Sequence, residues 1–255
     1  MRFGLCGKGE DWEAAERLGF DYLELPVNWL EGLDDQAFGA LLEEGKKRSI
    51  KVERCNLLFP KNLLLVGPEK AGEAAVVSYA RHAFSRMRKL NADLAVFGSG
   101  KSRNFPAGLS YGEGMEELLK VTRLVADVAR EYGITIALEE LNRNESNCLT
   151  SLTECALFAA WVGRDNVSVL ADMYHMVSEQ EPLTDISLVG RLSHAHIAVR
   201  GTRGYPTVKD ADLELFFQQL GAIGYEGTLS IEGKTADREL DAPSALSVMR
   251  GYCHE

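Results

Sequence analysis

The 255-residue chain lacks the marks of several common protein classes. Its five cysteines (Cys6, Cys55, Cys148, Cys155 and Cys253) are odd in number and form no CxxC pair, so neither a disulfide framework nor a zinc-finger spacing is legible. No uninterrupted apolar run approaches the roughly 18 residues of a membrane-spanning helix. The N-terminal MRFGLCGKGEDW also lacks the apolar stretch of a signal peptide, so a cytoplasmic location is expected. Basic residues are outnumbered, 28 Lys and Arg against 38 Asp and Glu, giving a net charge of −10 and a pI of about 5.1. That balance argues against non-specific attraction to nucleic acid or an anionic membrane, and neither is expected as a partner. Two nucleotide signatures are missing as well: GLCGKGEDW does not spell GxGxxG, and FGSGKSRNFPAG lacks the spacing of a P-loop.

What the chain has is a regular alternation. Short apolar runs rich in β-branched or aromatic residues recur at 2–7, 21–27, 51–59, 93–100, 134–141, 167–175, 192–199 and 227–233. Segments of helical period lie between them. EDWEAAERLGF puts Trp12, Ala15 and Leu18 on one face; 69–90 repeats Val76, Tyr79, Ala80, Ala83, Phe84 and Met87; 113–132 repeats Met115, Leu118, Leu119, Val125 and Ala129. SLTE at 151–154 reads as a capping box with Ser151 as N-cap. The sixth helix, after QEPLTDISLVG, is short, and the eighth is placed over PSALSVMRGYCHE with Pro243 near its first turn. Eight strands alternating with helices, with no linker or composition break, predict a single-domain (β/α)8 TIM barrel over 1–255.

Chemistry in such a barrel sits at the C-terminal ends of the strands. Four successive strand ends carry a ligand-type residue: Glu139 in ITIALEEL, Asp172 in VSVLADMYH, His196 in LSHAHIAVR and Glu232 in GTLSIEG. They are about one βα repeat apart, so the fold brings them around one opening. Taken singly, each has an ordinary reading as a rim charge, a turn former or a packed rung. Together, three carboxylates and one imidazole form a hard site suited to Mn²⁺, Mg²⁺ or Co²⁺, with Zn²⁺ also within its range. Without a cation the carboxylates would repel one another. Glu24, at the end of the second strand, is a candidate to orient a substrate hydroxyl or to form a salt bridge. Cys6 and Cys55 read as small core residues.

LEELNRNESN, LADMYHM, AHIAVR and LSIEG resemble, in order and spacing, the sugar isomerase/epimerase family with a xylose isomerase-like TIM barrel. The resemblance covers essentially the whole chain and is densest over 134–233. It implies a divalent metal, Mn²⁺ first, held by Glu139, Asp172, His196 and Glu232, with Glu139 and Glu232 as paired catalytic acid/bases. It further implies substrate contacts from Glu145, six residues after Glu139, and from His175, three after Asp172. A substrate-contacting Arg after the seventh strand is either Arg200 or Arg203. Two departures stand out: position 140 is Glu where relatives often carry Pro or an apolar residue, and GTRGYPTVKDAD lacks the Gly-rich turn common in epimerases.

The implied reaction is proton abstraction next to a carbonyl of a sugar or sugar phosphate, with return of the proton to the opposite face or to the adjacent carbon. Other classes are weaker. A polyol dehydratase of the inosose type shares the first step, and a sugar-binding barrel would show no turnover. An apurinic endonuclease with three zinc ions needs more histidines than the five present. Barrels of this kind often pair, so a homo-oligomer is one assembly compatible with the sequence.

Overall fold

A computed structural model describes residues 1–189 and 192–253. Eight strands lie where the apolar runs predict them: β1 (Arg2–Cys6), β2 (Tyr22–Pro26), β3 (Lys51–Asn56), β4 (Leu94–Phe97), β5 (Thr135–Glu139), β6 (Val167–Asp172), β7 (Leu192–Ile197) and β8 (Thr228–Ile231). All neighbours are parallel, and β1 pairs with β8 to close the barrel in sequence order.

The helices are α1 (Trp12–Leu18), α2 (Val27–Gly32), α3 (Asp35–Lys47), α4 (Glu73–Lys89), α5 (Gly100–Arg103), α6 (Tyr111–Glu131), α7 (Leu152–Val162), α8 (Met173–Ser178), α9 (Ala211–Ala222) and α10 (Arg238–Tyr252). Their starts follow from side-chain acceptors in the sequence. Asp34 accepts from Ala37 N–H, Ser110 and Glu113 form a capping box, and Asp210 accepts from Leu213 N–H. Ser151 caps α7 as the sequence predicts, but the Glu154 carboxylate reaches one residue further, to Thr150 N–H at 2.6 Å.

Two element expectations need correction. The last helix begins at Arg238, not at Pro243, because Asp237 supplies an earlier cap through Leu240 N–H. Pro243 therefore lies inside α10 and removes one backbone donor there. After β6 the chain makes two short pieces, α8 and a 3₁₀ segment (Leu183–Leu188), instead of one helix. Gly190, the last residue of QEPLTDISLVG, lies outside the described residues, as do His254 and Glu255.

Side-chain alternation divides the barrel's interior into two halves. Leu94, Val96, Ala137 and Leu170 fill one half as a small apolar cluster, separate from the main core between barrel and helices. The other half is polar: Tyr22, Glu24, His194, His196 and Ser230 are all fully buried there. A polar lumen is costly unless every group is paired, which directs attention to what those five side chains hold.

Candidate active site

The polar half is a connected chain of donors ending on one carboxylate. Tyr22 Oη lies 2.7 Å from Ser230 Oγ, which donates to Glu24 Oε2 at 2.5 Å. His194 Nε2 meets the same oxygen at 2.8 Å, and His196 Nε2 meets Glu24 Oε1 at 3.1 Å. Burial alone would raise the Glu24 pKa, but the two imidazoles hold it well below the usual carboxylate range. Glu24 is thus a buried anion whose two oxygens are both engaged by lumen side chains. It is fully buried beneath His196, and of its two expected roles the structure shows the ion pair.

Above this layer, the four predicted ligands converge. One donor atom from each of Glu139, Asp172, His196 and Glu232 lies within 4.8 Å of the others. His196 Nδ1 is 2.9 Å from Glu139 Oε1 and 3.8 Å from both Asp172 Oδ2 and Glu232 Oε2. The parallel pairing explains part of this, since Asp172 and His196 are register partners on β6 and β7. Burial lowers the His196 pKa, but the charges of Glu24 and Glu232 outweigh it and raise the group well above ordinary imidazole. Glu139 is raised by burial and then by Glu232, against the lowering pull of His196. Three carboxylates sharing one imidazole is the charge conflict that a hard divalent ion relieves, and the donor set of three oxygens and one nitrogen fits such an ion. Two other ligand-like groups, Cys6–His196–Glu232 and Glu24–His194–His196, both include His196, so they are alternatives around one locus and not additional centres.

The remaining expected residues divide. Glu145 and Arg203 are brought to the mouth: Arg203 Nη1 donates to Glu145 Oε1 at 3.0 Å, its Nη2 donates to Glu232, and its guanidinium lies 4.8 Å from the Tyr174 ring centroid. Arg200 is not: it pairs with Asp212 on the outer surface, 55% exposed. Of the two arginines only Arg203 lies at the mouth, and its positive φ of 51° sits in a loop pinned to the end of β8 by Lys234 N–H donating to Arg203 O. His175 is buried beside Asp172. Its Nδ1 accepts from the Asn142 backbone and side chain at 3.0 and 2.9 Å, which leaves the proton on Nε2. That Nε2 has no partner and lies 3.9 Å from Asp172 Oδ2.

Several residues beside the site were not assigned to it from sequence. Asn56, at the end of β3, donates to Glu232 Oε1 at 2.8 Å while its own carbonyl oxygen has no partner. Gly98, just past β4, leaves room for Glu139: a Cβ there would fall 1.9 Å from Glu139 Oε2. Cys6, read from sequence as a core residue, stands next to His196 and Glu232 at the end of β1. Glu140 points away from the lumen, as alternation requires, yet it is covered, 1% exposed. Its Oε1 accepts from Asp172 N–H at 2.7 Å, its Oε2 has no partner, and burial followed by the Asp172 charge raises its pKa well above the carboxylate range. A polar residue at a strand's C-terminal end would have flagged Asn56; nothing in the sequence flags the space at Gly98.

Comparison with known proteins settles the lineage. The Xylose isomerase-like TIM barrel family model matches residues 12–252. The chain belongs to that family. It is 27% identical to a ketose 3-epimerase of Arthrobacter globiformis over 84% of this chain and 73% of that protein. It is 26% identical to an L-ribulose 3-epimerase of Methylomonas sp. over 96% of this chain and 88% of that one. A crystal structure of a D-psicose 3-epimerase in the presence of D-fructose superposes with a TM-score of 0.86 at 21% identity, covering 100% of both chains, a likeness of fold. No described helix of this barrel is long and apolar enough to cross a membrane.

Proposed function

We propose that the chain is a divalent-metal-dependent sugar epimerase or isomerase in which Glu139 and Glu232 move the proton. The observation that carries this reading is the pairing of those two carboxylates around His196 and Asp172, at the mouth of a barrel whose relatives include ketose and ribulose 3-epimerases. Glu139, Asp172, His196 and Glu232 would hold the ion, Mn²⁺ being our first choice. Bound there, it would supply Lewis-acid polarisation of a substrate carbonyl.

The chain's own residues supply the rest. Glu139 reaches the site from β5 against Gly98, and Glu232 reaches it from β8 against Asn56, so the two carboxylates approach from different walls. One takes the proton from the carbon beside the carbonyl while the other returns one, as general base and general acid. Negative charge developing on the substrate oxygens is met by the unpaired Nε2–H of His175 and by Arg203. Glu145 holds Arg203 over the opening and offers an acceptor to a hydroxyl. Glu24 fixes the ring of His196 from beneath, which leaves Nδ1 facing the other three ligands.

The test is incubation of Mn²⁺-loaded protein in D₂O with a panel of ketoses and aldoses, read by NMR and mass spectrometry. Deuterium at the carbon next to the carbonyl, with change of configuration or transposition of the carbonyl, is the expected result. No exchange with any compound would overturn the proposal.

A further inference from the structure

The loops after β2, β3 and β4 enclose a groove of about 390 Å³ lined by Asn28, Leu57, Phe59, Lys61, Ser99 and Lys101, among others. That volume is within the range of small-molecule sites. Its inner wall is one residue from the proposed catalytic carboxylates. Leu57 follows Asn56, which donates to Glu232, and Ser99 follows Gly98, against which Glu139 rests. Both wall residues hold left-handed backbone conformations that side chains other than Gly seldom adopt, φ 49° at Leu57 and φ 40° at Ser99. Such conformations concentrate at ligand-holding sites. The two loops are also laced together, with Ser99 Oγ accepting from Phe59 N–H and Ser102 Oγ donating to Pro60 O, so the groove is held open by its own hydrogen bonds.

The charge of this groove runs against the rest of the molecule. In a chain of net charge −10, neither 54–68 nor 94–112 contains an acidic residue. Lys61 and Lys101 are exposed at the groove, and no ion pair involves either among the described residues. Arg103, the second cation of FGSGKSRNFPAG, is turned away: it is fully buried and donates to the carbonyls of Phe97, Glu139 and Leu149. This segment therefore offers Lys101, not Arg103, to a ligand. Across the mouth, the Glu145 carboxylate is taken up by Arg203.

We infer that this groove receives the far end of the substrate and selects one that ends in an anion, a phosphate ester or a carboxylate, held between Lys61 and Lys101. This deepens the proposed function and rests on it for the placement of the reacting end. Two lysine ammonium groups on one terminal anion should favour it over a neutral hydroxymethyl end by about tenfold or more, and the preference should shrink as salt screens it.

The experiment is calorimetric, with the full chain loaded with Mn²⁺ and three non-reacting ligands: a pentitol, its terminal phosphate ester and the corresponding pentonate. Tighter binding of at least one anionic ligand, lost in Lys61→Gln/Lys101→Gln and largely kept in Lys61→Arg/Lys101→Arg, is expected, and the stronger arm tells phosphate from carboxylate. Equal affinity for all three ligands would overturn the inference. So would a preference that survives in the double Gln variant, since the anion would then sit on the carboxylate-bound metal. The D₂O exchange assay is read separately: absent exchange with intact anion preference would sink the epimerase reading alone.

Discussion

Gly98→Ala isolates the placement of Glu139 from its chemistry. Gly98 does not have a positive φ, so alanine is tolerated by the backbone and the effect is steric. The added methyl would lie 1.9 Å from Glu139 Oε2, 3.1 Å from its Cδ and 3.5 Å from Leu141 Cδ2. Leu141 is at ordinary contact distance, so nearly all of the strain falls on one carboxylate. An oxygen and a methyl carbon need well over 3 Å, and the carboxylate must therefore move by more than 1 Å. It has little freedom to do so, being 3% exposed and hydrogen-bonded to His196. Forced displacement in a packed site costs about 1–3 kcal/mol in stability, and misplacement of a reacting group by about 1 Å lowers turnover by ~10²-fold. The assay is kcat/KM for whichever sugar exchanges in D₂O, with Mn²⁺ affinity and Tm measured alongside. A variant that folds, loses metal affinity and loses two orders of magnitude in kcat/KM is expected. Activity within threefold of the parent would refute the position assigned to Glu139.

Other outcomes follow from the same geometry. Glu24→Gln removes the buried anion beneath His196 and should lower metal affinity by about 10–100-fold, measured by titration with Mn²⁺ followed by electron paramagnetic resonance. Arg203→Ala frees Glu232 and Glu145 of their shared cation; kcat/KM should fall by about 10²-fold while Tm changes little, and an unchanged kcat/KM would remove Arg203 from the reaction. Metal affinity should drop as pH is lowered through the raised pKa of His196, because the ion must displace a proton whose affinity Glu24 and Glu232 increase; a calorimetric series across pH 6–9 in buffers of different ionisation enthalpy reports the released proton. Glu140 has a folded pKa raised above its unfolded value, so its contribution is fully present below about pH 4 and is lost as pH rises through the folded value. Glu140→Gln keeps the acceptor for Asp172 N–H and should therefore match the parent's Tm near pH 4 and exceed it at pH 8. A lower Tm at pH 8 would show that Glu140 is ionised in the folded chain.

The fold was legible because its signal is repeated. Eight apolar runs, spaced by helical periods, leave few architectures, and all eight strands fall within those runs. The four converging residues were legible for a related reason: a barrel turns one-repeat spacing into adjacency, so ligand-type residues at consecutive strand ends must meet. What escaped the sequence depends on three dimensions. Glu24 reads as another strand-end acid, and only the closure of β1 onto β8 and the interior facing of His194, His196 and Ser230 place it beneath the site. Arg200 and Arg203 are equivalent in sequence, but the turn at Gly201, φ 78°, sends one outward to Asp212 and the other over the mouth. Glu140 illustrates the limit of alternation: it gives the direction of a side chain and not what covers it. The early start of α10 was missed because proline is a strong sign for a first turn, whereas an N-cap Asp six residues before it is a local hydrogen bond that competes successfully.

The central claim is that Glu139 and Glu232 carry the proton. It is tested most directly by following deuterium from D₂O into a ketose with Mn²⁺-loaded parent, Glu139→Gln and Glu232→Gln proteins, each checked for bound metal. The account requires label at the carbon beside the carbonyl with the parent, and at least a ~10³-fold slower interconversion in each variant that retains its metal. Interconversion at near-parental rate in either metal-loaded variant would contradict it.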